Sequence, residues 1–201
     1  MKRLETIGAV LCVCVMAVAL SAAFPQRAGA QGLELNGGWS HVTGDFGLDG
    51  FGVGAAWRFI PQIAVVANYD DTWDTSQIGQ FEFTSVGAIA SQSHLQNFLT
   101  GPRYYWGLKK IKNHAIDPFA EAQFGVSHLH SRVQEGAFPF VENSDSAFSW
   151  ALGAGADYAL SPHWSARVDL DLLRTHLDND AQSRLRLVFG MSYSFGQRYH
   201  Q

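Results

Sequence analysis

The chain has 201 residues, with 14 Lys and Arg against 18 Asp and Glu, a formal net charge of −4. Charged residues make up 16%, well under the roughly 25% of ordinary soluble domains, and the mild acidity gives nucleic acid no electrostatic foothold. Fourteen Phe, six Trp and six Tyr beside 20 Gly exclude a disordered chain, which is poor in aromatics, and fit a helical bundle badly.

Residues 1–30 read as a secretory signal peptide. Lys2 and Arg3 precede an uncharged apolar stretch over 7–20, and Ala28-Gly29-Ala30 supplies small residues at −3 and −1 of a cut. Cleavage is expected after Ala30, with Ala23 as the second choice. Cys12 and Cys14 leave with this segment, so residues 31–201 carry no cysteine and no disulfide. The exported chain must be held by packing and hydrogen bonds alone.

From residue 33 onward the pattern has period two, the signature of strands with chemically different faces. Leu33, Leu35, Gly37 and Trp39 share one face, with Glu34, Asn36 and Ser40 opposite. Phe51, Val53, Ala55, Trp57 and Phe59 then alternate with Gly50, Gly52, Gly54 and Arg58. After a turn at Pro61, Ile63, Val65, Ala67 and Tyr69 alternate with Asn68 and Asp70. Phe98, Thr100, Pro102, Tyr104 and Trp106 lie opposite Leu99, Gly101, Arg103 and Tyr105, where the proline points to an irregular strand.

Ala120, Ala122, Phe124 and Val126 oppose Glu121, Gln123 and Gly125. Phe148, Trp150, Leu152, Ala154, Ala156 and Tyr158 oppose Gly153, Gly155 and Asp157. Past Pro162, Trp164, Ala166, Val168, Leu170 and Leu172 alternate with Arg167, Asp169 and Asp171. Leu185, Leu187, Phe189, Met191, Tyr193 and Phe195 close the series against Arg184, Arg186 and Gly190. That makes eight strands. Links around Pro61, Lys109-Lys110 and Pro162 are short, whereas 42–49, 71–95, 130–147 and 174–183 are longer or more polar. Short turns at one end and long loops at the other belong to an up-and-down antiparallel barrel of the outer-membrane kind.

The polar face decides which side is inside. It carries glycines and arginines and no Lys. Glycine weakens a strand wetted by solvent, and the arginine fork suits bidentate pairing away from bulk water. This face is therefore expected to fill a narrow lumen, with Arg58, Arg103, Arg167, Arg184 and Arg186 paired to Glu34, Glu121, Asp157, Asp169 and Asp171. The opposite face then meets lipid, with Trp39, Trp57, Phe59, Tyr69, Tyr104, Trp106, Tyr158, Trp164, Tyr193 and Phe195 as interfacial aromatics. A soluble lipocalin-like carrier is the opposite arrangement, with the apolar face turned inward.

The run Leu99-Thr100-Gly101-Pro102-Arg103-Tyr104, the pair Pro118-Phe119 and the ending 185–195 resemble the OmpA-like outer-membrane β-barrel proteins. The resemblance spans residues 31–201. It implies an eight-stranded all-β barrel in the bacterial outer membrane, monomeric and without a cofactor, surrounded by membrane lipids and lipopolysaccharide. Gly190 through Phe195 resembles the C-terminal signal read by the outer-membrane assembly machinery, although Gly196 to Gln201 follow it. A structural or surface-adhesive role without catalysis is the expectation.

Three other clusters carry chemistry in outline. Arg174-Thr175-His176-Leu177-Asp178-Asn179 lies where lipid A deacylases of the PagL type use His and Ser, but Asp178 stands at the serine position. His128 and His130 share a strand face and could reach one metal ion, yet such a site takes three or four ligands. Asp70, Asp71 and Asp74 read as a solvated loop cluster that could bridge a divalent cation to lipopolysaccharide, and Lys109, Lys110 and Lys112 as a solvated periplasmic turn.

Overall fold

The computed structural model describes residues 32–43, 47–78, 89–111, 114–135, 141–176 and 181–195. The expected signal peptide over 1–30, Asp178 with its neighbours Leu177 and Asn179, Lys112 and the tail 196–201 lie outside the described residues. Among the described residues there are nine strands: β1 Gly32–Val42, β2 Leu48–Ile60, β3 Ile63–Ile78, β4 Ile89–Tyr105, β5 Lys109–Ile111, β6 His114–Glu135, β7 Val141–Ala159, β8 Trp164–Thr175 and β9 Gln182–Ser194. β5 is a three-residue arm hydrogen-bonded to the start of β6. The other eight form the barrel. Every pairing is antiparallel, β1 pairs β9, and β4 pairs β6, so the sheet closes on itself.

Closure satisfies backbone groups that hydrocarbon cannot. One local gap is explained by Pro102. The β3–β4 ladder runs through it, but the β4–β6 ladder breaks between Thr100 and Arg103, because proline has no N–H to offer that neighbour. Gly107, at φ 87°, turns the chain after β4 in a conformation that L side chains rarely adopt.

Period two sorts the side chains as a membrane barrel requires. Trp57, Phe98, Phe124, Leu152 and Phe189 are all more than half exposed on the outer surface, whereas Arg103, Arg167 and Arg186 are buried within. The inverted, lipocalin-like arrangement is thereby excluded. Near the short-turn end, Tyr104 meets Trp106 edge-on at 5.7 Å, and Tyr193 packs between Trp164 at 4.9 Å and Phe195 at 5.1 Å. Near the other end, Phe51 sits between Tyr69 at 6.4 Å and Trp73 at 6.3 Å. These are two aromatic girdles flanking an apolar band. Leu170, midway along β8 on that band, is half exposed. Leu170→Arg is expected to cost about 2–4 kcal/mol of folding free energy in phospholipid vesicles, read from the urea midpoint; a midpoint equal to wild type would contradict a lipid-facing Leu170.

Two stretches expected as loops are largely strand. β3 and β4 stay paired from Ile63↔Tyr104 out to Ile78↔Ile89, and β6 and β7 remain paired out to Val133↔Val141. Both faces of these extensions are polar, as in Thr72, Asp74, Thr75 and Ser76, so no alternation marks them. Their ladders continue because backbone pairing is indifferent to side-chain polarity once a hairpin is under way.

Candidate functional site: a sealed, charged lumen

The lumen is packed in layers from the short-turn end upward. Lowest, Arg58 donates twice to Asp117 Oδ2 at 3.2 Å, and its guanidinium stacks 3.5 Å from the Tyr105 ring centroid. Next, Arg103 donates from Nε to Glu121 Oε2 at 2.6 Å and lies 4.2 Å over Phe119. At the same level Arg167 grips Asp157 through two bonds of 2.7 Å and also donates to Glu34, which accepts from Ser192 at 3.1 Å. Higher still, Arg186 binds Asp171 Oδ2 through Nε at 2.9 Å and Nη2 at 2.5 Å, and reaches across the lumen to Asp70. Arg103–Glu121, Arg167–Asp157 and Arg186–Asp171 are register partners on adjacent strands, whereas Arg58–Asp117, Arg167–Glu34 and Arg186–Asp70 join strands that do not pair and so cross-brace the barrel.

Glycines make this packing sterically feasible. A methyl on Gly153 would strike the Asp171 carboxylate, and one on Gly54 would strike the side-chain oxygens of Asn68 and Asn36. The small residue on one strand thus leaves room for the polar group of the next.

Above the charged layers comes a polar one, in which Ser127 donates to Asn97 Oδ1 at 2.6 Å. The outer end is then stoppered by Val42, Leu48, Leu95, Leu99, Ala151 and Leu173, with Leu129 and Ala147 against them. This apolar plug corrects the expectation of a polar interior throughout. Leu99 and Leu173 have lumen parity, so their position was available in the alternation. Val42, Leu48 and Leu95 fall at the margins of segments expected as loops, where alternation gives no guide.

The structure brings Glu34, Arg58, Arg103, Glu121, Asp157, Arg167, Asp169, Asp171 and Arg186 into the lumen, and adds Asp70 and Asp117 to them. Arg184 departs from the group. It lies near the outer rim of β9 and donates to Gln182 Oε1 at 2.5 Å. The acidic loop cluster also dissolves. Asp70 points inward to Arg186, while Asp71 points outward, where His94, Tyr69 and Gln96 hydrogen-bond to it. Adjacent strand residues face opposite ways, so these two carboxylates cannot chelate one ion. His128 is held by Ser146 at 2.7 Å and Ser144 at 3.3 Å, on the outer face of the extension. His176 Nδ1 lies 3.4 Å from the Phe148 carbonyl.

A model of the outer membrane protein β-barrel domain matches residues 9–195. The chain belongs to this outer-membrane β-barrel family. Its location is accordingly the bacterial outer membrane, and family barrels share the closed antiparallel wall described above. Among solved structures, Ail, the attachment invasion locus protein of Yersinia pestis, determined with the heparin analogue sucrose octasulfate, is 17% identical. It covers 84% of this chain and 100% of its own, with a TM-score of 0.53. The outer membrane protein OprG from Pseudomonas aeruginosa is 12% identical, covering 84% of this chain and 97% of its own, also at 0.53. Comparison with curated proteins finds no match. At these identities the likeness shows the fold alone.

Proposed function

We propose that this barrel is a non-conducting, non-catalytic surface protein, which anchors the paired extensions β3–β4 and β6–β7 above the membrane for adhesion or envelope integrity. The observation that carries the proposal is the filled lumen. Four braced arginines and an apolar plug occupy the axis that a pore would need, and eight strands leave an interior that side chains fill. What remains for function is the outer surface. There the extensions display Trp73, His94, Gln96, His128, Ser144 and Ser146, a mixed polar and aromatic face suited to lipopolysaccharide sugars or an external partner. The attachment role printed for Ail fits the same geometry. The barrel acts as a monomer within lipid and lipopolysaccharide, after insertion by the outer-membrane assembly machinery.

The test shortens one extension. Cutting the β6–β7 hairpin back to the Ser127↔Ala147 pair, with a two-residue turn in its place, removes His128, Ser144 and Ser146 and leaves the charged layers and the buried residues of the plug in place. Cells carrying the short form are expected to lose surface attachment or detergent resistance, while the purified barrel keeps its heat-dependent gel mobility. Equal attachment and resistance with both forms would contradict the surface role. In planar bilayers the full protein is expected to show no sustained open-channel current, and a stable large conductance would rule out the closed lumen.

A further inference from the structure

His128 and His130 share a strand face but are one ligand short of a metal site, and β4 supplies the third. Phe98 and Val126 are register partners on β4 and β6, both more than half exposed on the outer surface. Two residues further out on the same face, Gln96 lies opposite His128, and two beyond that His94 lies opposite His130. Three imidazoles therefore share one patch of two neighbouring strands, just above the apolar band, and none of them is buried. Directly opposed antiparallel residues have Cβ atoms about 4.5–5.5 Å apart, and diagonal ones about 7–8 Å. Imidazoles on so small a triangle can meet over one ion through Zn–N bonds of about 2.0–2.1 Å.

The neighbours of these rings point the same way. His94 Nε2 donates to Asp71 Oδ1 on β3, a carboxylate only 8% exposed. The other Asp71 oxygen accepts from Tyr69 at 3.3 Å and from Gln96 at 3.5 Å, so the acid is held in place. That arrangement assigns the His94 proton to Nε2 and leaves Nδ1 with its lone pair. Metal-ligating histidines almost always give their other N–H to a carboxylate, a backbone carbonyl or water, and Asp71 is placed to take it. His128 is held through Nδ1 by Ser146 at 2.7 Å, while its Nε2 has only a 3.3 Å contact with Ser144. The three rings stand apart in the structure. His94 is already oriented, and His128 and His130 close on it by turning about their own side-chain bonds while the paired backbone stays fixed.

We propose that His94, His128 and His130 bind one zinc-type divalent ion on the outer face, with Asp71 as the carboxylate that orients His94. Imidazole ligands suit zinc, copper, iron and nickel, whereas calcium and magnesium take oxygen ligands. Three histidines leave the fourth tetrahedral position to water or to a donor arriving from outside. The ion ties β4 to β6 at the foot of the two extensions. His41 shows what the trio adds: it has a carboxylate partner in Asp49 at 2.8 Å, but its register partners are Asp49 and Leu187 and no second imidazole stands across from it.

The test dialyses the untagged barrel, refolded in detergent micelles at neutral pH, against graded Zn²⁺ and measures bound zinc over a micelle blank. Wild type is expected to bind about one Zn²⁺ per barrel. His94→Gln and His130→Gln, each leaving two protein ligands, are expected to bind at least about 100-fold more weakly, and Asp71→Asn about 10–100-fold more weakly. His41→Gln is expected to match wild type. Heat-dependent gel mobility shows that each variant has folded; should Asp71→Asn fail to fold, the two histidine variants, exposed on the surface, decide the matter. A wild-type barrel that binds no zinc, or histidine variants that bind as wild type does, would overturn the assignment. An Asp71→Asn barrel that folds and binds as wild type does would remove Asp71 from it. The result is read on purified protein with both extensions at full length, so it is independent of the surface role.

Discussion

Replacing Arg186 by methionine is expected to lower the unfolding free energy in micelles by about 3–5 kcal/mol, read as a fall in the urea midpoint by tryptophan fluorescence. Methionine fills much of the arginine stem's volume, so the loss isolates the charge. Arg186 is 1% exposed and serves two carboxylates at once, Asp171 on β8 and Asp70 on the far side of the lumen. Without it, both acids stay buried and lose the cation bonded to them, and that uncompensated charge is what costs so much. Removing the acids as well should recover most of the loss, because an apolar or neutral replacement of a whole buried ion group is often near neutral. The triple change Arg186→Met, Asp70→Asn and Asp171→Asn is thus expected to sit within about 1–2 kcal/mol of wild type. An Arg186→Met midpoint that does not move would show that the guanidinium is not holding the lumen together.

The second large effect concerns barrel closure. Gly38 on β1 and Gly190 on β9 are register partners at the seam where the first and last strands meet. A side chain built on Gly190 would run into the Gly37 carbonyl and the Gly38 Cα, and one on Gly38 would run into the same atoms of β9. The obstacle is backbone, which cannot swing aside as a side-chain tip can. Overpacking of tight interiors typically costs about 1–3 kcal/mol, and here it falls on a pairing that every other strand depends on. Gly190→Val is therefore expected to leave most of the protein running as the unfolded form on unheated gels. Gly37→Val should fold normally, since a side chain there meets only ordinary contacts at 3.6 Å.

Much of the wall was legible in the sequence, and the reason is lipid. A membrane barrel must present apolar side chains outward at every second position, so Phe51, Val53 and Trp57 betray β2 without any knowledge of tertiary contacts. The same parity marks Arg103, Glu121 and Arg167 as inward. It does not say which acid each arginine meets. Arg186 joins Asp70 across 116 positions of chain, and that pairing depends on strand stagger, which alternation does not encode. Asp70 also sat beside Asp71 and Asp74 in a run that reads as a solvated loop. The extensions beyond the membrane were invisible for a related cause. Ser91 to Ser93 and Thr72 to Ser76 are mostly polar at both parities, so they carry no hydrophobic rhythm even though their backbones are paired.

The β1–β9 seam also governs how the molecule comes into being. Glu34 pairs with Ser194, so the last hydrogen-bonded ladder joins the two extremes of the described chain. Until the final strand arrives, β1 is an open edge, and no shorter stretch can shut the wall. Such sequence-distant contacts make spontaneous folding slow. Before that closure the wall is an unfinished sheet whose free edge offers unpaired backbone groups to any other strand.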